Sequence, residues 1–245
     1  MKQIITGRKP VLEALKLPRM IQKILILYGT HGKAMEDIRH QARRTGVPLT
    51  EVDKQKFRQI ADESSAQGVA AILESKEYVE AEELLDRAKK SGNPLLLLVL
   101  DEIEDPQNLG ALIRTAECAG FHGVILPRHH SATINETVAK TSAGASLHLP
   151  AARVANIAQT LDMLKEKGVW IIGTDEAGDK RYDEIDYEGS IAIVVGNEGK
   201  GIRRLVKEKC DFLVRIPVFG TVRSLNASVA GGLVMYEAAR KRKHP

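Results

Sequence analysis

Residues Leu95–Phe121 read "LLLLVLDEIEDPQNLGALIRTAECAGF". The first six are an unbroken apolar run with no polar alternation. A strand written this way is covered on both faces, as strands of parallel sheets are. Asp101–Gln107 is a polar loop, and Asn108–Ala119 follows with helical spacing of its apolar residues. Strand, loop and helix in that order make half of a parallel α/β unit. Ligands meet open α/β sheets at loops that leave strand C-termini in this way.

The same alternation continues to the end of the chain. "HGVIL" (122–126), "VWIIGTD" (169–175), "SIAIVVG" (190–196) and "DFLVRIPV" (211–218) read as strands. Helices are predicted over Glu136–Ser142, Asn156–Lys167 and Asn226–Lys243. A mostly parallel, doubly covered sheet is the architecture such a pattern supports. Before Leu95 the spacing changes. A helix over Gly7–Leu17, a strand "KILILYG" (23–29), a helix over Lys33–Thr45, a short strand "PLTEVD" (48–53), a helix over Lys54–Asp62 and a strand "GVAAILE" (68–74) form a smaller α/β unit. The expected domains are therefore 1–75 and 94–245. Residues 76–93, with "EAEELLDRAKKSGN" as one helix, serve as a bridge.

Composition narrows the class. The chain has 245 residues, 43% of them hydrophobic, enough for a sizeable core. Aromatic residues are only 4%, which argues against binding a single strand along a row of stacked rings. A net charge of +4 fits a polyanionic partner and equally an ordinary basic enzyme. Cys118 and Cys210 are far apart, without a Cys-x-x-Cys pair, and read as buried reduced thiols. The start "MKQIITGRKP" lacks the apolar core of a signal peptide. "PLLLLVL" is far too short to span a membrane. A cytoplasmic location is expected, with no metal.

"VVGNEGKGI" (194–202) ends a strand in a glycine-rich loop. A phosphate-cradling Walker loop requires Lys then Ser or Thr after its last glycine; here Lys200 precedes Gly201 and Ile202 follows it. The spacing of Gly196, Gly199 and Gly201 is the reverse of a dinucleotide fingerprint, and the loop comes late in the domain. NAD and ATP are thus disfavoured. Read alone, the stretch is a tight turn with a helix starting near Gly201. Asn108 reads as a helix cap, and Arg114 lies six residues on, about 1.7 turns away, on another helical face. The two converge only if Asn108 precedes the helix. Arg114 alone reads as a surface ion pair. "SLNASVAGG" (224–232) opens the last helix with small residues that let another backbone or a flat ligand come close.

Taken together and in order, "DPQNLGALIRTAECAG", "IVVGNEGKGI" and "IPVFGTVRSLNASVAGGLVMYEAAR" resemble the three motifs of the SpoU (TrmH-type) RNA ribose 2′-O-methyltransferases. Within that family they look most like the bacterial enzymes that modify guanosine in 23S rRNA. The resemblance implies an α/β-knot (SPOUT, trefoil-knotted) C-terminal domain binding S-adenosyl-L-methionine. It also implies a small N-terminal RNA-binding domain with an L30e-like fold, and a homodimer formed through the knot domain. Carried over by position, Gly196, Ile216 and Leu225 would line the cofactor pocket, with Gly196 letting the backbone approach the cofactor. Thr174 and Asp175, at another strand end, are further contact candidates. Arg114 would act at the ribose hydroxyl, with Asn108, Glu198, Ser224 and Asn226 holding the geometry; Ser224 also borders the cofactor. Arg8, Lys9, Arg39, Arg43 and Arg44 are candidates for RNA phosphate contacts. The rival readings are a tRNA guanosine 2′-O-methyltransferase and a non-catalytic RNA-binding protein of the same fold.

Overall fold

The computed structural model describes residues 3–18, 21–73, 78–222 and 224–242. In chain order the elements are β1 (Gln3–Thr6), α1 (Arg8–Ala14), β2 (Ile21–Leu27), α2 (Lys33–Thr45), β3 (Leu49–Val52), α3 (Lys54–Arg58), α4 (Glu63–Ala66), β4 (Val69–Leu73) and α5 (Ala81–Ser91). There follow β5 (Leu96–Asp101), α6 (Pro106–Cys118), β6 (Gly123–Pro127), α7 (Glu136–Thr141), α8 (Ala145–His148), β7 (Ala151–Val154), α9 (Ile157–Glu166) and β8 (Trp170–Thr174). The chain ends with β9 (Lys180–Arg181), β10 (Ile191–Gly196), α10 (Arg204–Lys207), β11 (Phe212–Arg215) and α11 (Ala227–Lys241). Among the described residues no helix is long and apolar enough to cross a membrane. Two compact units form: Met1–Glu77 with Ile134–His148, and Tyr78–Thr133 with Leu149–Pro245. The junction expected at Ser75 and Lys76 lies outside the described residues.

In the first unit the sheet order is β1-β4-β2-β3. β4 is antiparallel to both β1 and β2, and β2 is parallel to β3. The C-terminal ends of β1, β2 and β3 therefore share one edge with the start of β4. Side chains alternate across the strand, and β2 shows it: Ile24 and Ile26 join one apolar cluster with Met35 and Ile38 of α2, while Leu25 joins another with Phe57 of α3. Ala139 of α7 and Leu147 of α8 belong to the first of these clusters, and Thr6 Oγ1 donates to Glu136 at 2.8 Å. The expected C-terminal domain thus contains a segment, 134–148, whose core is that of the N-terminal unit. Sequence periodicity identifies α7 as a helix but cannot say which sheet buries its apolar face.

The second unit has a seven-stranded sheet in the order β7-β6-β5-β10-β8-β11-β9, and every pair in it is parallel. β5, β6 and β10 are buried throughout, as their unbroken apolar runs require. The segment read as a bridge is not one. α5 buries Ala81, Leu84 and Leu85 in the cluster that includes Leu97, Val99 and Leu161, while Glu82, Glu83, Asp86 and Lys90 are exposed on a core helix. β7, β9, α8 and α10 are too short to leave a periodic signature, and β1 is only four residues. α6 starts at Pro106, earlier than expected, because Asp105 rather than Asn108 is the cap; its Oδ1 accepts from Gln107 N at 2.9 Å. Cys210 is largely buried, and burial pushes its thiol up to about 12; Cys118 is exposed, against expectation.

If α5 is core rather than linker, Leu84→Ala should cost about 2–5 kcal/mol of stability. Urea denaturation of the full chain measures this, and a loss under about 0.5 kcal/mol, typical of a surface position, would return α5 to the role of a bridge.

Candidate active site

Because β5, β10, β8 and β11 are parallel, the loops that leave them emerge at one edge. The loops after β10, β8 and β11 border a cleft of about 260 Å³. The loop after β10 closes on itself. Asn197 N donates to Gly201 O at 3.1 Å and Gly201 N to Asn197 O at 2.9 Å, with Gly201 in the left-handed region at φ 65°. The Asn197 side chain fills the turn. Its Oδ1 accepts from Gly199 N (3.0 Å) and Lys200 N (3.3 Å), and its Nδ2 donates to Glu102 O on the neighbouring loop (3.0 Å). A Cβ on Gly196 would stand 2.3 Å from Gly201 C and Ile202 N. Gly196 is therefore required by the turn's own return strand. The expectation that it is glycine to admit a ligand is replaced by this nearer cause, although Gly196 does line the cleft. No helix starts at Gly201; α10 begins three residues later.

Side chains from all three motifs meet in one hydrogen-bonded chain. Asn108 Nδ2 donates to Glu198 Oε1 at 2.5 Å, and Asn108 Oδ1 accepts from Asn226 Nδ2 at 3.0 Å. Asn226 Oδ1 in turn accepts from Ser228 N (2.9 Å) and Ser228 Oγ (2.6 Å), capping α11. Glu198, Ser224, Leu225, Thr174 and Ile216 line the cleft beside this chain. Thr174 Oγ1 donates to Val194 O at 3.1 Å, and the Asp175 carboxylate pairs with Lys207. Ser224 is exposed, with no hydrogen bond among the described residues.

Sequence reading missed the support beneath these loops. Asp101 is fully buried and accepts from Arg203 N (2.8 Å), Nε (2.9 Å) and Nη2 (2.6 Å). The hydrogen-bonded carboxylate raises the Arg203 guanidinium above its ordinary pKa, against the opposing effect of burial. Arg203 Nη1 also lies 3.3 Å from Glu102, which is held at φ 62°. The available signal was an acid ending an apolar strand, since a buried carboxylate requires a cation.

Arg114 is not brought to this site within the chain. With α6 beginning at Pro106, Asn108 and Arg114 are both helical and point about 120° apart. Arg114 is exposed, does not line the cleft and has no ion pair among the described residues. Nor do the basic candidates of the first unit form one patch. Arg8 and Lys9 follow β1, and Arg8 Nε donates to Gln67 O at 3.3 Å. Arg39 is held by Glu51 at 2.7 Å, with its Nη1 buried and unpartnered. Arg43 and Arg44 lie in the last turn of α2, where cations suit the helix dipole.

Residues 95–236 match the SpoU rRNA Methylase family. The chain belongs to this family. A second family, described as RNA 2′-O ribose methyltransferase substrate binding, matches residues 4–79. Among curated relatives of this SpoU protein is a candidate TrmH family tRNA/rRNA methyltransferase, YacO of Bacillus subtilis, 41% identical over 97% of this chain and 95% of the relative. A candidate TrmH family tRNA/rRNA methyltransferase of Staphylococcus aureus is 43% identical over 98% and 96%. An AdoMet-bound rRNA methyltransferase from Sinorhizobium meliloti superposes with a TM-score of 0.80 at 28% identity, over 99% of this chain and 88% of that one. The SpoU methyltransferase fold expected from the motifs is the fold observed.

The turn geometry gives a paired prediction. Gly196→Ala meets backbone atoms that no rotamer change can move aside, and should destabilise by about 1–3 kcal/mol. Gly199→Ala, whose Cβ would come no nearer than 3.7 Å to Asn197 Oδ1, should be close to neutral. Thermal unfolding of the two variants decides it; equal melting temperatures would refute the closure argument.

Proposed function

We propose that this SpoU protein is an S-adenosylmethionine-dependent RNA ribose 2′-O-methyltransferase. We take its target to be a guanosine of 23S rRNA, as in RlmB-type enzymes that modify the peptidyl-transferase P loop, and its location to be the cytoplasm. The observation that carries this reading is the convergence of Glu198, Asn108 and Asn226 beside the cleft. Residues from three separated motifs spend their polar groups on one another at a strand-end loop. The rRNA assignment rests on the resemblance of the motifs; the substrate-binding match over residues 4–79 supports an RNA substrate.

The cleft suits the cofactor in kind. Ile216 and Leu225 offer apolar surface, and the backbone of 196–201 and Thr174 offer polar edges around about 260 Å³. S-adenosylmethionine, when bound, supplies a sulfonium methyl as the electrophile. The chain's part is alignment: Asn226 and Glu198 fix the amide of Asn108, and Ser224 presents a free hydroxyl at the cleft wall. Such positioning is worth several kcal/mol in well-oriented cases.

An arginine side chain stays protonated in a protein, so a guanidinium is not the base here. The task of Arg114 is to orient an RNA phosphate and stabilise charge that develops on the 2′-oxygen. It does so in a homodimer, beside the partner's cleft. Val229, Leu233 and Tyr236 support the dimer: they recur at helical spacing as an exposed apolar face of α11. α11 packs directly on α6, with Gly231 against Leu112 and Gly232 facing Thr115.

Arg114→Ala should lower single-turnover methylation of unmodified 23S rRNA transcript by about a hundredfold while cofactor affinity stays unchanged. Arg114→Lys should not restore the rate, because an ammonium lacks the planar fork. A rate within a few-fold of the unsubstituted chain would remove Arg114 from the mechanism. Mapping 2′-O-methyl positions in rRNA and tRNA with and without the gene tests the substrate.

A further inference from the structure

The edge of the first unit where β1, β2 and β3 end carries a feature that sequence reading passed over. Tyr28 follows β2 and is 77% exposed, and its side chain makes no hydrogen bond or ring contact among the described residues. A lone surface tyrosine is ordinary. This one is held on a fixed backbone. Tyr28 N donates to Val52 O at 2.8 Å, Leu27 N to Gly68 O at 2.9 Å and Thr30 N to Leu27 O at 3.1 Å. Thr30 sits so tightly on Gly68 that a Cβ there would meet its Oγ1 at 2.5 Å.

Cations lie on the segments that follow β1 and β2 at this edge. Arg8 is tied to the same edge by its bonds to Gln67, from N to Oε1 and from Nε to O, both at 3.3 Å. A Cβ on Gly32 would lie 3.4 Å from Arg8 Nη1, so the loops after β1 and β2 touch. Lys9 and Lys33 are exposed and have no ion pair among the described residues. Of the acids at this edge, Asp53 is engaged in capping α3, where it accepts from Lys56 N at 2.8 Å, and Glu136 accepts from Thr6. Asp62, before β4, is engaged in capping α4, where it accepts from Ser65 N at 3.0 Å, and Glu36, in the first turn of α2, is exposed.

A solvent-facing ring on a fixed backbone, with cations on the neighbouring segments of the same sheet edge, suits an unstacked base with its phosphates. Proteins read RNA chiefly where bases are splayed out of helices, by stacking them on aromatic rings. We propose that Tyr28 stacks on an unpaired base of the RNA substrate while Arg8, Lys9 and Lys33 hold the neighbouring phosphates. The inference rests on the reading of the first unit as the RNA-binding part. It leaves Arg39, Arg43 and Arg44 out of that contact.

The test uses the full chain with Tyr28→Ala and Tyr28→Phe, titrated against unmodified 23S rRNA transcript and against a blunt RNA duplex. Tyr28→Ala should weaken transcript binding by about fivefold to a hundredfold, Tyr28→Phe should stay within about twofold, and duplex affinity should not change with either. Unchanged transcript affinity for Tyr28→Ala, an equal loss on the duplex, or an equal loss with Tyr28→Phe would each overturn stacking. If the unsubstituted chain bound no transcript, the RNA-binding reading of this unit would fall and the inference with it. Unaltered circular dichroism and cofactor affinity separate a binding defect from a folding defect.

Discussion

The side-chain amide of Asn108 has one donating and one accepting side, and the site uses both. Its NH₂ faces a carboxylate that can only accept, and its oxygen faces the NH₂ of Asn226. Rotating the amide by half a turn would set oxygen against oxygen and NH₂ against NH₂, so only one orientation is allowed. Asn226 is fixed in the same way, because its oxygen is committed to Ser228 and the start of α11. The loop after β10, the first turn of α6 and the start of α11 are thus held in one register by groups that cannot exchange roles. The partly exposed geometry limits what each bond adds to stability. Its larger consequence is directional, since Glu198 is aimed from a loop that is otherwise turned by Asn197.

Beneath that exposed chain is a second, anchored on a buried carboxylate. Asp101 ends β5, and Arg203 lies just past the β10 loop; their contact ties the two neighbouring strand ends together from below. Removing Asp101 from water would be costly if it were not matched by three donors. Asn197 and Glu102 supply a second tie at the level above. The cleft wall formed by the β10 loop is therefore fixed at two heights before any ligand arrives, which is the preorganisation that a positioning mechanism needs.

The unbroken apolar run of Leu95–Leu100 made the parallel sheet legible, because only a doubly covered strand can be written without polar alternation. The meeting of Asn108, Glu198 and Asn226 was legible only through the resemblance of the three motifs; no local spacing relates positions 90 and 28 residues apart. Asp101–Arg203 was not read, since the partner of a buried acid is set by strand order, and β10 inserting between β5 and β8 is a non-local choice. α5 was misread because Glu82, Glu83, Asp86 and Lys90 face solvent, leaving Ala81, Leu84 and Leu85 to report the core. The segment 134–148 was assigned to the wrong unit for a related reason. An apolar stripe states that a helix is buried, but not against what.

The proposed role of Arg114 is not met within a single chain. Its helix is anchored at Asp105 and packs on α11 through Leu112 and Gly231, so α6 cannot turn to bring residue 114 round to Asn108 without breaking a cap and a close helix contact. Rotation by about 120° would be needed, and every buried residue of α6 would leave the core with it. A guanidinium that does not line its own cleft, on a helix packed against α11, fits the proposed use across a homodimer interface. The same apolar face that would bury Val229, Leu233 and Tyr236 would then set the distance between one chain's Arg114 and the other's Asn108. In the proposed homodimer, dimerisation would be part of the active site's construction, and interface packing would bear on turnover alongside the residues that line the cleft.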